Sequence, residues 1–116
     1  MERERTDAQV LKGLLDTLVL TVLRGGDNYG FGIAQAVQGL LEGDASILRD
    51  ATLYPLLHRL ESKGFVESYS KPGDRGTPRK YYRLTAAGRI QLKDRVSEWQ
   101  YVASILKKVV LPREEL

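Results

Sequence analysis

The sequence predicts a mainly α-helical (α+β) domain in which three helices, a two-stranded β-hairpin and one long final helix follow one another. Three observations support this prediction. Apolar residues recur at helical spacing in four segments that turn-forming residues separate. A further segment alternates in character and is rich in tyrosine, which is typical of paired strands. The last helical segment keeps a seven-residue apolar repeat beyond the length that so small a core needs.

The first two helices are bounded by clear turn-forming residues. The first is expected over about 7–24, with Asp7 as its N-cap and Gly25-Gly26 after its end. The second is expected over about 29–41, after the capping pair Asp27-Asn28. Glycines 30 and 32 fall in its first turn, where a missing side chain permits the close approach of another backbone.

The third helix is expected over about 50–63, ending at Gly64, with Leu53, Leu56, Leu57 and Leu60 on one apolar face. Pro55 is tolerated best near the first turn, so the helix starts at Asp50 or Thr52.

A hairpin follows, with strands over 65–71 and 79–84 joined by a loop over 72–78. Tyr81 and Tyr82 are neighbours in a strand, so they face opposite sides of it. A two-stranded hairpin is marginally stable alone, so this one is expected to rest on the helices.

The last helix is expected to begin after the N-cap Thr85, to run to about Val110 and to end before Pro112. About 25 residues at 1.5 Å each give roughly 37 Å. Its length and repeat predict that residues 85–116 form a dimerisation helix, which follows a separate unit over residues 1–84. The repeat places six residues on the expected interface: Leu92, Val96, Trp99, Ala103, Leu106 and Val110.

Three helices followed by a basic hairpin is the order of a winged helix-turn-helix with a two-stranded β-wing. The second and third helices then form the DNA-reading pair, and the third lies in the major groove. The charge distribution agrees with this interpretation. The segment 71–83 holds five basic residues and one acidic residue, a local charge of +4 against +3 for the whole chain.

The third helix supplies candidate DNA contacts of several kinds. Arg59 is suited to guanine, and the hydroxyls of Thr52 and Tyr54 are suited to phosphates. Each has an alternative, since Tyr54 fits the core equally well and Arg59 is within reach of Glu61 or Asp50. The full candidate set on this helix is Thr52, Tyr54, Pro55, His58 and Arg59.

The hairpin and the start of the second helix complete the expected interface. Gly73 and Gly76 let the tip lie flat on the sugar–phosphate backbone, and Arg75 is placed to enter a minor groove. Tyr29 either contacts a phosphate beside exposed helix N–H groups or packs in the core. The candidate residues here are Tyr29, Lys71, Arg75, Gly76, Arg79 and Lys80.

Other functional classes find little support in the sequence. The chain has no cysteine and a single histidine, His58, which excludes disulfides, zinc fingers and a cysteine nucleophile. No paired carboxylates or nucleophile–base spacing appear, so neither an enzyme, a metal site nor a cofactor is expected. The apolar run 14–23 is short and broken by Asp16, so we expect a cytoplasmic protein without a membrane span.

Three segments carry a family resemblance, namely Asn28-Tyr29-Gly30-Phe31-Gly32-Ile33, residues 51–61 (ATLYPLLHRLE) and residues 79–88 (RKYYRLTAAG). In this order and spacing the chain resembles the PadR family of bacterial transcriptional regulators over about residues 10–110. The resemblance implies a winged-helix homodimer, in most members a repressor, whose C-terminal helix mediates dimerisation. It also implies that DNA faces Tyr29, Thr52, Tyr54, Arg59, Arg79 and Lys80.

Two alternatives to a plain repressor remain. Some short PadR-like regulators bind planar drugs at their dimer interface, so Trp99 either clamps a small aromatic effector or fills the interface as ordinary core. The second alternative is a winged helix that binds a protein rather than nucleic acid. The basic hairpin argues against this alternative.

Overall fold

The structure, a computed structural model, describes residues 8–41 and 50–110. Within these residues, four α-helices pack with a three-stranded antiparallel sheet. A 3-10 turn over Asp74–Gly76 joins the two long strands, and the last helix continues as a π-helical turn over Leu106–Val110. The elements are α1 (Ala8–Arg24), β1 (Asn28–Tyr29), α2 (Gly30–Leu40), α3 (Asp50–Ser62), β2 (Val66–Pro72), β3 (Pro78–Leu84) and α4 (Ala86–Ile105).

This order of elements confirms the predicted winged helix, with helix bounds that differ from the prediction by a few residues. Helix α1 ends at Arg24, as expected. Helix α3 begins at Asp50 and carries Pro55 inside it, in its second turn. The predicted cap Asp7 and the predicted stop Pro112 lie outside the described residues.

The sheet has one strand more than the predicted two-stranded wing. Strand β1 pairs antiparallel with β3, with Asn28 opposite Tyr82 and Tyr29 opposite Tyr81, so β3 is the central strand. Asn28 and Tyr29 were predicted at the cap and start of α2, and this prediction was wrong. Two residues are too few to show the alternation by which a strand is recognised.

The hydrophobic core lies between the helices and the inner face of the sheet. Each of the four helices contributes, because each has one apolar face at helical spacing. The side chain of Tyr82 enters the core, whereas Tyr81 lies on the outer face, as their adjacency predicted. The buried apolar residues are Leu15, Val19, Leu20, Leu23, Ile33, Val37, Leu53, Leu56, Leu57, Leu60, Val66, Tyr82, Leu84 and Leu92.

A tight corner links β3 to α4. Thr85 caps α4, as predicted, because its hydroxyl accepts a hydrogen bond from the Gly88 amide at 3.0 Å. The same hydroxyl donates to the Gly64 carbonyl oxygen at 2.6 Å. Gly88 lies so close to the Phe65 carbonyl oxygen that a Cβ would collide with it. The end of α3, the start of β2 and the start of α4 are therefore held together.

Helix α4 leaves the core along its length. Leu92 is buried, Val96 and Trp99 are half-buried, and Ala103 and Leu106 are exposed. The predicted seam is therefore covered by this chain only at its beginning, and the side chain of Val110 lies outside the described part. Although this end of α4 is apolar, no helix within residues 8–41 and 50–110 is long and apolar enough to cross a bilayer.

Candidate nucleic-acid interface

An open groove of about 700 Å³ runs between the start of α2, the outer face of α3 and strand β3. Residues from three separate segments of the sequence meet there, which the predicted DNA-reading arrangement requires. Five of the residues that the sequence analysis selected line this groove: Tyr29, Tyr54, His58, Arg79 and Lys80. The other lining residues are Gly30, Phe31, Glu61 and Tyr82.

Helix α3 presents its four leucines to the core and its polar face to solvent. Tyr54 is 51% exposed, so the alternative that placed it in the core is wrong. The exposed candidates on this helix, all accessible to a partner molecule, are Thr52, Tyr54, Pro55 and His58.

The Tyr54 side chain packs on the first turn of α2 at Gly30. A Cβ at position 30 would lie 2.8 Å from both Cε1 and the hydroxyl oxygen of Tyr54, so the tyrosine ring would have to shift. Glycine therefore allows the ring to lie across α2 at the floor of the groove. The sequence predicted the close approach of another backbone at this glycine, whereas the structure shows the close approach of a side chain. At Gly32 the neighbour is likewise a side chain, that of Asn28.

Arg59 binds a side chain of α1 and does not line the groove, so its predicted role as a base-reading residue stays a prediction. Its Nη2 donates a hydrogen bond to Oδ1 of Asp16 in α1 at 2.6 Å. Glu61, one of the local partners considered from the sequence, does not take this bond, and the side chain of Asp50, the other, lies outside the described part. A guanidinium bound to a buried carboxylate would lose that partner if it turned toward DNA, so contact with DNA would require this bond to break.

The basic side chains of the wing lie over tyrosine rings on the outer face of the sheet. A cation over an aromatic face is attracted by the ring quadrupole, so these contacts hold the positive charges in place. The distances from cation to ring centroid are 4.5 Å for Arg79–Tyr29, 4.8 Å for Lys71–Tyr81 and 4.9 Å for Arg83–Tyr69. The three rings also pack on one another, with centroids 5.5 Å apart for Tyr29–Tyr81 and 5.9 Å apart for Tyr69–Tyr81.

Counter-charges neutralise only part of the wing. The ion pairs are Arg83–Glu67 at 3.1 Å, Arg79–Asp74 at 3.4 Å and Lys80–Glu61 at 3.9 Å. Lys71 and Arg75 make no ion pair with any residue in the described part of the chain. The charge of the wing that is not neutralised within the described residues therefore lies toward the tip.

The wing tip is a tight turn built on two left-handed residues. Arg75 has φ 64° and Gly76 has φ 79°. The Gly73 amide closes the turn by donating to the Thr77 carbonyl oxygen at 2.7 Å. Glycine adopts this conformation freely, whereas arginine does so only at a cost. The tip thus projects an exposed arginine from a strained position.

Two tyrosines of the sheet have raised pKa values for different reasons. Burial raises the pKa of Tyr82 above 10.0, and the nearby ammonium of Lys80 opposes this in part. Tyr69 donates a hydrogen bond to Oδ2 of Asp27 at 2.6 Å, and this bond raises its pKa. Both residues therefore stay neutral donors at neutral pH. The pKa of Arg83 is also raised, chiefly by its hydrogen bond to Glu67.

Trp99, the central residue of the predicted interface, is held by α1. Its Nε1–H donates to the Thr17 hydroxyl at 3.0 Å, and Thr17 donates in turn to the Gly13 carbonyl oxygen at 2.9 Å. A Cβ at Gly13 would lie 3.8 Å from Cζ2 of Trp99. The indole N–H is therefore satisfied within the chain. Its place in a dimer interface or an effector pocket stays a prediction.

Sequence reasoning did not select two residues that matter to this surface. Phe31 is 61% exposed and lines the groove, although an apolar ring in a helix is usually assigned to the core. Glu61 accepts a hydrogen bond from Ser68 at 2.6 Å and pairs with Lys80 across the groove. The only sequence feature that marked Phe31 was its place inside the first family-like segment.

The family model described as the transcriptional regulator PadR-like family matches residues 19–94. The chain belongs to this family. The match begins inside α1, ends inside α4 and contains every residue that lines the groove. The resemblance inferred from three short segments is therefore confirmed, and the PadR-like family consists of transcriptional regulators rather than enzymes.

Known proteins that are similar to this PadR-like chain agree with the family assignment. An uncharacterised protein of Lysinibacillus sphaericus is 34% identical over 99 residues, which are 85% of this chain and 90% of that protein. A transcriptional regulator from Clostridium thermocellum is 31% identical over 90% of this chain and 100% of its own, with a TM-score of 0.78. A PadR family regulator from Clostridium difficile is 31% identical over 84% of this chain and 98% of its own, with a TM-score of 0.72.

Proposed function

We propose that this PadR-like regulator binds a specific sequence of double-stranded DNA as a homodimer and represses transcription from it. The observation that carries the proposal is the groove, where the exposed face of α3 and the basic strand β3 form one surface. In this proposal α3 enters the major groove, and Thr52, Tyr54, Pro55 and His58 face base edges and phosphates.

The wing supplies the sequence-independent part of binding. Its cations are ordered by tyrosine rings before DNA arrives, so less conformational entropy is lost when they meet phosphates. Arg75 at the tip would enter the adjacent minor groove. The proposed backbone contacts are Tyr29, Lys71, Arg75, Gly76, Arg79 and Lys80.

The proposed dimer forms through residues 85–116. The C-terminal half of α4 carries more exposed apolar surface than a monomer in water favours. A second copy would cover it and would place two recognition helices about 34 Å apart, in successive major grooves. Such a dimer would cover the DNA and exclude other proteins from it. The exposed apolar residues of this face are Tyr101, Val102, Ile105, Leu106 and Val109.

Fluorescence anisotropy tests the proposal by measuring affinity over a salt series. Labelled DNA from upstream of the chain's own gene is compared with an unrelated fragment. Selective binding that weakens steeply with salt is expected, because each phosphate contact releases a counterion. His58→Ala should weaken selective binding, whereas Ser62→Ala, an exposed position on α3 outside the groove, should not. Equal affinity for all fragments at every salt concentration would contradict the proposal.

A planar aromatic effector is a second candidate ligand. The observation that favours it is the half-buried ring of Trp99, on the seam that α4 would present to a second copy. Trp99 is the sole tryptophan, so quenching of its fluorescence by a planar aromatic compound reports binding directly. If Leu106→Glu abolishes the quenching, a pocket at the dimer interface is supported. If the variant is still quenched, it is not.

A further inference from the structure

A single buried carboxylate joins three helices of this chain. Asp16 lies in the middle of α1 and is 6% exposed. Its Oδ1 accepts the hydrogen bond from Arg59 of α3, the proposed recognition helix, at 2.6 Å. Its Oδ2 lies 4.0 Å from Nη2 of Arg95 in α4, the proposed dimerisation helix. The two oxygens of one side chain thus face cations on two different functional elements.

The surroundings of Asp16 make this link specific. A buried carboxylate is costly unless cations stay beside it, so its two partners are not free to separate from it. The next residue, Thr17, accepts the hydrogen bond of Trp99, one turn beyond Arg95 on α4. A Cβ at Gly13 would lie 3.6 Å from Nη1 of Arg95, so α1 and α4 are in close contact here.

We propose that Asp16 is a positioning residue for DNA binding. It contacts α4 through Arg95 and α3 through Arg59, so the position of α4 sets the orientation of α3. The inference rests on the proposed function, since it assumes that α3 reads DNA. Anything that shifts α4, whether a second copy or a ligand beside Trp99, would then change DNA affinity without touching DNA. Linkage requires the reverse as well, so bound DNA would change the environment of Trp99.

Asp16→Asn tests the link with little change of shape. The amide is uncharged and replaces one of the two carboxylate oxygens by a donor nitrogen, so it no longer offers an acceptor oxygen both to Arg59 and to Arg95. We expect affinity for the selected fragment to fall about tenfold, with the salt dependence unchanged because no phosphate contact is lost. Asp94→Asn, which removes an exposed carboxylate from α4, is the matched control. Wild-type affinity in folded, dimeric Asp16→Asn would overturn the inference.

Arg95→Met provides a second variant should Asp16→Asn fold poorly. It removes a cation on α4 and leaves the bond between Arg59 and Asp16 in place. A purely structural ion pair would change stability alone. The link instead predicts weaker selective binding at temperatures where the variant is fully folded. Unchanged binding by Arg95→Met under those conditions would overturn it.

A measurement without DNA separates this inference from the proposed function. Arg59→Met should change acrylamide quenching of Trp99 in the free protein and should cause no further change in an Asp16→Asn background. Arg83→Met, which breaks an exposed arginine ion pair on the sheet, should leave quenching unchanged. If wild type shows no DNA preference, the proposed function fails and quenching still decides the link. Equal effects of Arg59→Met in both backgrounds, or none in either, would overturn the link.

Discussion

At the scale of single residues, the groove depends on side chains that are held rather than simply exposed. Tyr54 lies on a glycine, Arg79 lies over Tyr29, and Lys80 faces Glu61. Each contact fixes a group that would otherwise sample several rotamers, so ordering on DNA costs less. The backbone at Gly30 is the contact most easily tested, because a single methyl group would displace the tyrosine.

Gly30→Ala should weaken DNA binding by displacing Tyr54, since the added Cβ would lie 2.8 Å from the ring. Anisotropy would measure the affinity, and urea unfolding would measure the stability. Gly39→Ala in the same helix is the control, because its Cβ meets no atom within 4 Å. The control should stabilise the fold by about 0.5–1 kcal/mol and leave affinity unchanged. Equal affinity of the two variants would count against a role for Tyr54.

Arg75→Gly should stabilise the free protein by about 1 kcal/mol, because glycine adopts the left-handed conformation at position 75 without strain. It should also weaken DNA binding and reduce the slope of log affinity against log salt by about one. Arg75→Ala is the matched control, since it loses the same charge and keeps the strained backbone. If both variants unfold at the same urea concentration, the turn is not strained at this residue.

The partner of Arg59 shows where residue-level prediction stops. Sequence alone suggests only partners that are near along the chain, so Glu61 and Asp50 were the candidates. The actual partner, Asp16, is 43 positions away along the chain. Only the packing of α1 against α3 brings the two together. By contrast, the groove residues on α3 followed from its leucine periodicity, because the face opposite a core must face solvent.

At the scale of elements, the helices and the two long strands were predictable because each carries a periodic pattern and a terminal residue such as Thr85 or Gly64. Strand β1 was not, because it is two residues long and becomes a strand only by pairing with β3. The sheet consequently has an inner face that enters the core and an outer face of tyrosines and cations. Tyr82 belongs to the inner face, and its burial has a consequence at high pH.

The fold should lose stability above about pH 10 through Tyr82. Folding raises the pKa of Tyr82, so the tyrosine ionises at a lower pH in the unfolded chain than in the folded protein. Its contribution to the free energy of unfolding is therefore complete below the pKa of the unfolded chain and is lost as the pH rises through the pKa of the folded protein. Tyr82→Phe should therefore show a shallower loss of unfolding free energy from pH 9.5 to 11 in urea titrations. Tyr101→Phe, at a position 68% exposed, should keep the wild-type slope. Parallel curves for wild type and Tyr82→Phe would contradict this.

At the scale of the whole molecule, the chain extends 55 Å in its longest direction, although its core occupies only part of that length. Helix α4 and its π-helical turn carry apolar side chains beyond the core. The seven-residue repeat predicted a dimer seam on this helix, which stays a prediction, but the sequence did not reveal that α1 takes the N–H of Trp99. That contact depends on the crossing of two helices, which periodicity does not specify.

Leu106→Glu should convert the proposed dimer into a monomer, because it places a charge at the centre of the exposed apolar face of α4. Analytical ultracentrifugation over a concentration series would measure the assembly. The control is Gln100→Glu, which adds the same charge at an exposed position of α4 that lines a shallow pocket with Arg24 and Lys93. A dimer that withstands Leu106→Glu would place the interface elsewhere.

The joint at Tyr29 has a consequence for which DNA the protein accepts. Tyr29 is both the last residue of β1 and the N-cap residue of α2, so no loop separates the sheet from the helix pair. The opening between the wing and the helix pair is therefore fixed before either of them contacts DNA. A double helix that does not fit this opening must bend or change its groove width, at a cost that depends on its sequence. The protein would thus rank sites by the stiffness of base pairs that no side chain touches.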